Sequence, residues 1–570
     1  RQKGAVYNVY AGEDIISAYG AKIYSKGDLV KENLSTDENG ACILKNLHLG
    51  TYVVKEMQAP ENFYNAGEEK TVTLSYAGQN VEVVFSDVTF TNDRQKADVS
   101  VVKKDKDTEN PLSGGVFALY AGSDIANADG NVVVKKGTLI EKLTTGADGK
   151  AAFNADLPIG FSYVVKEEQA PQGYLRNFKD VYTFKFSYTS DSEPKVSFTH
   201  TFVNERVKAK ISLEKRDAET KQAVAQGDAT LEKAVYGLYA RNDIVHPDGI
   251  TGVIYKAGEQ VATLTTDKNG QASVDGLYLG DYYVKEISPS VGYLADETEH
   301  DLVCNYEGDL VAEVKRDCTS LEQVMKQPFQ IIKAANNGKT DADLLKGAGF
   351  TAYLESSLTK KADGNYEFAS ATTVVIGENG ATEMFTDEKG YACSIALPYG
   401  TYIVRETTTP HNYTPVDDFT VRITENNPNQ PQTWRVLLDD EFEAKLKIIK
   451  QDDETKKPVL QKNTEFKIYD LDHKKYVEQV TTYPTTVKHK SYFTDEQGYL
   501  ILPQNLKIGN YRIEEVNAPF GYTLNKNYYE VTVDSNTAYQ MDGTSGDVII
   551  EAIYENHPVK GELTIVKKGE

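Results

Sequence analysis

The sequence predicts an all-β protein built as five β-sandwich domains in tandem, an elongated rod. Three observations carry this. A Gly followed by Tyr-x-x-x-Glu and a short Pro-containing or polar turn recurs five times: GTYVVKEMQAPENFY (Gly50 to Tyr64), GFSYVVKEEQAPQGY (Gly160 to Tyr174), GDYYVKEISPSVGY (Gly280 to Tyr293), GTYIVRETTTPHNY (Gly400 to Tyr413) and GNYRIEEVNAPFGY (Gly509 to Tyr522). Its Glu lies at Glu56, Glu167, Glu286, Glu406 and Glu515, about 110–120 residues apart, the length of one small domain. Between copies, apolar and polar residues alternate with period two, and no long 3.6-residue period intervenes. Antiparallel strands in that number close most readily as two packed sheets.

Each complete repeat has the same order of elements. An alternating strand ending in Lys comes first: VSVVKKD (Val99 to Asp105), ISLEKRD (Ile211 to Asp217), FQIIKAA (Phe329 to Ala335) and LKIIKQD (Leu446 to Asp452). A second strand follows (FALYA, YGLYA, FTAYL, FKIYD). Next is a turn whose last Gly suits a left-handed conformation: TDENG from Thr36, TGADG from Thr145, TDKNG from Thr266, TDEKG from Thr386 and TDEQG from Thr494. The Glu-bearing strand, a turn, a hairpin and a last strand ending near Asn or Asp complete the unit. The predicted domains are 1–96, 97–207, 208–325, 326–442 and 443–558, with 559–570 as the first strand of a further unit. The links are short and charged, without Gly/Ser-rich or Pro-rich stretches, which implies a stiff array. The chain opens at RQKGAVYNVYA, matching a second strand, and closes on GELTIVKKGE, matching a first strand. The expectation is a piece of a longer array; strand addition between copies is the alternative.

Composition narrows the function. A net charge of −23 argues against nucleic-acid binding. No run of about 18 apolar residues occurs, so no membrane insertion is expected. The four Cys (Cys42, Cys304, Cys318, Cys393) form no CxxC pair, so no metal centre and no cofactor is expected. Cys42 and Cys393 read as core residues, and Cys304 with Cys318 flank a turn across which a disulfide is feasible. The eight His are scattered, and no HExxH, GxSxG or phosphate loop appears, so enzymatic turnover is not expected. The lone Trp434 reads as core.

Strand parity picks out the chemistry. Residues two apart share a sheet face. Val99, Val101 and Lys103 therefore lie on one face, as do the stripes ending in Lys215, Lys333 and Lys450. Tyr52, Val54 and Glu56 share a face, and the same holds for Glu167, Glu286, Glu406 and Glu515; Glu514 has the opposite parity. Phe90 precedes Asn92 by two, and Asn204, Asp439 and Asn556 follow the same rule. A Lys, a Glu and an Asn or Asp thus each end an apolar stripe facing the core. Burying such charges costs several kcal/mol, so they shift pKa, pair or react. The residues alone leave two readings open. Lys acts as a neutral amine, Glu as a proton carrier and Asn or Asp as the electrophile of an amide-forming condensation. Otherwise the Lys is held in a buried ion pair.

The segments VVKKD, FALYA, YVVKEEQAPQGY and FVNER resemble the Cna protein B-type domain, also called the SpaA-like or prealbumin-like domain, of Gram-positive adhesins and pilins. The resemblance spans nearly the whole chain. It implies an Ig-like, prealbumin-like sandwich carrying a self-formed Lys–Asn or Lys–Asp isopeptide bond promoted by the Glu. The terminal Asn lies 11 residues before the next repeat's Lys, as in Asn92 to Lys103 and Asn204 to Lys215. This pairs Lys103 with Asn204 through Glu167, and Lys450 with Asn556 through Glu515. Lys333 pairs with Asp439 through Glu406, with Asp440 as the lesser acceptor. In the third domain, Lys215 and Glu286 are present, but the spacing lands on Glu322, not a usual acceptor, and Asp317 is the nearest alternative. Asn92 has no Lys within its own repeat, and Lys567 has no domain after it, so both are expected to stay unpaired.

The expected function is an extracellular, cell-wall-anchored stalk, a monomeric rod that holds an adhesive tip toward a host or neighbouring-cell ligand. A sortase-polymerised pilin backbone is the alternative, although Tyr483-Pro484 is followed by Thr485 and not by a donor Lys. A ligand-binding adhesin module is the third.

Overall fold

The computed structural model describes residues 1–569. Apart from two short 3-10 turns, its regular structure is β, arranged as repeated two-sheet units.

The second domain shows the plan. One sheet runs Leu139–Thr144, Val116–Ala121, Ser162–Gln169, Val181–Lys185, with antiparallel neighbours. The other runs Lys150–Ala152, Lys96–Asp105, Lys195–Asn204. Inward side chains of both sheets, including Val101, Phe117, Tyr163, Val165 and Phe202, form the core. The third, fourth and fifth domains repeat this layout, each around its own core. The first has the sheet Leu29–Ser35, Val6–Ala11, Gly50–Gln58, Glu69–Leu74.

Antiparallel closure is the expectation from the sequence, but the first and last strands of each complete domain pair in parallel. Parallel neighbours need a long crossover, and the rest of the domain supplies it. The pairing sets the last strand of the domain directly beside the first, which is a central strand of its sheet.

The recurrent turn fixes the Lys backbone. Lys103, Lys215, Lys333 and Lys450 each donate their N–H to the carbonyl of the turn's final Gly, at 2.7, 2.7, 2.8 and 2.9 Å. Gly270 has φ +75°, and a Cβ there would lie 2.6 Å from the Lys215 carbonyl oxygen, so only Gly fits.

Domains also touch. The carboxylate of Asp191 accepts the N–H of Ala59 at 3.0 Å, and its carbonyl accepts that of Asn65 at 2.8 Å. Asp309 repeats both contacts with Ala170 and Arg176, at 3.0 and 2.9 Å. The turns after the first and second Glu strands are thus each held by a loop of the following domain.

Three expectations change. Cys304 and Cys318 are free thiols: Cys304 sits opposite Gly280 in one sheet and Cys318 opposite Leu213 in the other. Cys42 and Cys393 are only half-buried. Trp434 is 58 % exposed and lies on the outer face, its ring 5.4 Å from Tyr391.

Candidate functional site

In each complete domain the first strand, the last strand and the Glu strand converge at one end of the core. The parallel register is constant. Asn204 lies opposite Asp105, Asp439 opposite Ala335 and Asn556 opposite Asp452, each two residues beyond the buried Lys. Even parity turns Lys and acceptor to the same inner face, and the Glu strand of the facing sheet closes the site.

In the second domain, Lys103 is completely buried. Its Nζ contacts Asn204 Oδ1 and lies 3.1 Å from Glu167 Oε1. Asn204 Nδ2 donates to both oxygens of Glu167, at 3.0 and 3.1 Å. Burial pulls the Lys103 amine below its ordinary pKa, toward the neutral form, while Glu167 opposes that shift.

In the fourth domain, Lys333 Nζ donates to Glu406 Oε2 at 2.7 Å and contacts Asp439. All three side chains are fully buried. Burial pushes the Asp439 carboxyl up to about 6. Asp440 points away and accepts from Asn336 at 2.6 Å on the exposed side.

In the fifth domain, Lys450 Nζ is 3.1 Å from Glu515 Oε1 and donates to the Tyr554 carbonyl at 3.2 Å. Asn556 Nδ2 donates to Glu515 Oε2 and to the Thr523 carbonyl, both at 2.7 Å. Asn556 Oδ1 is buried without a hydrogen-bond partner among the described residues. Burial lowers the Lys450 pKa to about 8. Glu514 faces outward to Arg512 and Tyr476.

The third domain departs from the expectation. Asp317 is exposed and lies opposite Ser212, away from Lys215. Glu322 takes the acceptor position instead, opposite Asp217, with its carboxylate in contact with Lys215 Nζ. Glu286 Oε1 is 3.8 Å from the same amine.

The first domain keeps the other half of the arrangement. Asn92 Nδ2 donates to Glu56 Oε2 at 2.6 Å, and Tyr7 donates to Glu56 Oε1 at 3.3 Å. Burial raises the pKa of Glu56. Among the described residues no Lys forms an ion pair with Glu56. Lys567 is exposed.

Two supporting contacts were not anticipated. A backbone N–H ten residues beyond the Glu donates to its Oε2: Asn177 at 3.2 Å, Asp296 at 2.8 Å, Val416 at 3.0 Å and Asn525 at 2.9 Å. In the second, third and fifth domains this fixes one carboxylate oxygen and leaves the other facing the Lys, whereas in the fourth Lys333 shares Oε2 with the Val416 N–H. In addition, the Tyr ending the Glu motif donates to the Asp two residues after the Lys. These bonds are Tyr174 to Asp105 at 2.6 Å, Tyr293 to Asp217 at 3.0 Å and Tyr522 to Asp452 at 2.9 Å. The signal was present in the recurring Lys-x-Asp and the recurring Tyr, but nothing in the sequence joined them.

Outside these sites, Asp453, Glu454 and His557 form an exposed group, with Glu454 also paired to Lys560 at 2.5 Å. This is a solvated ion-pair cluster.

Five segments, 3–89, 97–201, 209–317, 328–435 and 444–546, match the SpaA prealbumin-like fold domain. The chain belongs to that family. Among curated proteins, these SpaA-family repeats are similar to a collagen adhesin of Staphylococcus aureus, with 30% identity over 201 residues, 34% of this chain. The chain's match spans 15% of that adhesin's length. Among solved structures, the TIE protein of Bacillus anthracis is 21% identical, with a TM-score of 0.29, covering 79% of this chain and 69% of that one. BcpA, the major pilin subunit of Bacillus cereus, is 17% identical, with a TM-score of 0.19, covering 62% of this chain and all of its own.

Proposed function

We propose that the SpaA-family repeats form a load-bearing stalk of a Gram-positive surface protein, with the second, fourth and fifth domains each locked by an isopeptide bond that the domain makes itself. The observation that carries this is the recurrence of a fully buried Lys, a Glu and an amide or carboxyl acceptor in one contact set at one register. Membership of a family found in adhesins and pilins supports the extracellular setting.

The mechanism follows from the contacts. Burial favours the neutral amine of Lys103 and Lys450, and the neutral Lys amine is the nucleophile. The amine attacks Cγ of Asn204, Asp439 or Asn556. The Glu takes the proton from Nζ and delivers it to the departing group, ammonia from Asn or water from Asp. In the second domain Glu167 already holds both Lys103 Nζ and the leaving Asn204 Nδ2. In the fourth, the raised pKa of Asp439 favours the protonated acid, whose leaving group is water and not oxide. The product is a neutral amide, so the reaction also removes charges from a buried site. Each domain reacts once, with no turnover.

The intact mass of the denatured protein tests this reading. Each Lys–Asn bond removes about 17 Da and each Lys–Asp bond about 18 Da. The sequence mass without any deficit would leave these groups as ion pairs and refute the covalent stalk.

A pH dependence follows for the fifth domain. The folded Lys450 pKa of about 8 lies below its ordinary value of 10.5. Before linkage the unfolded chain binds more protons across that window, so stability of the unlinked domain rises with pH from about 8 to 10.5. The reactive amine fraction grows about tenfold per pH unit below about 8 and then levels off. Chain refolded from inclusion bodies should therefore form the Lys450–Asn556 bond faster as pH rises toward about 8, followed by quenched mass measurements. A flat rate from pH 6 to 8 contradicts the neutral-amine step.

A further inference from the structure

The third domain carries the same machinery around a different acceptor. Glu322 occupies the register position held by Asn204, Asp439 and Asn556 elsewhere, and its side chain is fully buried. Its Oε2 touches Lys215 Nζ, yet neither atom has a partner of hydrogen-bond geometry among the described residues. Its Oε1 accepts from the hydroxyls of Tyr236 and, at 3.3 Å, of Ser320.

Among the four domains with a buried Lys, this is the one in which two hydroxyls of the described residues are aimed at the acceptor; the Tyr554 hydroxyl of the fifth goes instead to the Asn525 and Asn527 carbonyls. The residue opposite the Glu on the second strand is Phe117, Phe350 or Phe466 in the others and Tyr236 here. The residue opposite the Lys on the last strand is Phe202, Leu437 or Tyr554 in the others and Ser320 here. The longer acceptor thus coincides with two donors aimed at one of its oxygens. Without reaction, two carboxylates would share a single buried ammonium, leaving a net negative charge in the core. Condensation would leave one carboxyl, Glu286, whose Oε2 is already held by the Asp296 N–H at 2.8 Å. Burial also lowers the Lys215 pKa to about 8, so the amine is available.

We propose that Lys215 and Glu322 condense into an isopeptide bond between Nζ and the side-chain carbonyl carbon Cδ, an acceptor type distinct from Asn or Asp. This rests on the reading that the other complete domains form their own bonds by the same chemistry. The neutral amine attacks Cδ. The charge that develops on Oε1 is met by Tyr236 and Ser320, placed as oxyanion donors. Glu286 passes two protons in turn from Nζ to Oε2, the one that frees the amine from its ammonium form and the one lost after attack, so Oε2 leaves as water. One N–C bond forms, one C–O bond breaks, and nothing is oxidised or reduced.

Fragmentation mass spectrometry of proteolytic peptides from the full chain tests this. The expected result is a branched peptide joining Lys215 to Glu322, about 18 Da lighter than its two components. Linear peptides carrying free Lys215 and Glu322, beside branched peptides at Lys103, Lys333 and Lys450, would overturn this proposal alone. A branch from Lys215 to Asp317 would do the same. Linear peptides at all four Lys would overturn the underlying reading as well. In refolding experiments Tyr236→Phe should slow this linkage by about 100-fold and leave the other three unchanged, whereas an unchanged rate refutes the oxyanion assignment.

Discussion

Replacing Glu515 by Ala should leave the fifth domain unlinked and strongly destabilised. Glu515 touches both Lys450 and the Asn556 amide, so its loss removes the proton carrier while the backbone stays in register. The denatured mass should then exceed that of the parent, corrected for the substitution, by the missing ammonia, about 17 Da. Two losses of stability add. The bond closes nearly the whole domain into one loop, and by analogy with a disulfide this constraint is worth about 4–5 kcal/mol. Lys450 is also left buried without its counter-charge, and breaking such a pair costs about 3–5 kcal/mol. Lys450→Met separates the effects, since it removes the bond and the buried amine together. It should cost about the loop term alone, roughly 20 °C in the melting of that domain. Calorimetry of the full chain reads this as one transition moving among several. Equal melting of the parent and both variants would show that no bond contributes to stability.

Under tension, the linked domains should refuse to extend. The first and last strands of the second domain lie side by side in parallel, paired from Lys96 with Lys195 to Asp105 with Asn204. Pulling on the two ends of the domain loads this ladder in shear. The proposed link joins Lys103 to Asn204, positions 101 residues apart, and carries the force past everything between them. Freeing that segment would add about 350 Å of contour length. Force spectroscopy on the parent should lack steps of that size from the second, fourth and fifth domains. Glu167→Ala should restore one. Such steps from every domain of the parent would remove the mechanical basis of the stalk.

Much of this was legible in the chain. Period-two alternation and the repeated Glu motif identified the sandwiches, because a strand's inward residues must be apolar to build a core. The same parity singled out Lys103, Lys333 and Lys450 and their Glu and acceptor partners, because a charged residue ending an inward stripe has nowhere else to point. Spacing favoured Asp439 over Asp440, and the structure buries the first and exposes the second. In the third domain, spacing pointed at Glu322, but residue type argued for Asp317. Register decided otherwise, since Asp317 lies five residues too early in the last strand to reach Lys215.

The sequence by itself determined the repeat, the all-β class and the inward face of each strand, since these depend only on local periodicity. Tertiary structure alone decided the contacts between strands distant in the chain. The parallel pairing of first and last strands, the Tyr174 to Asp105 type of bond and the two hydroxyls on Glu322 all depend on which strands become neighbours. So do the separate sheets of Cys304 and Cys318 and the exposed face under Trp434. A period says which way a side chain points. Only the packed fold says what it meets there.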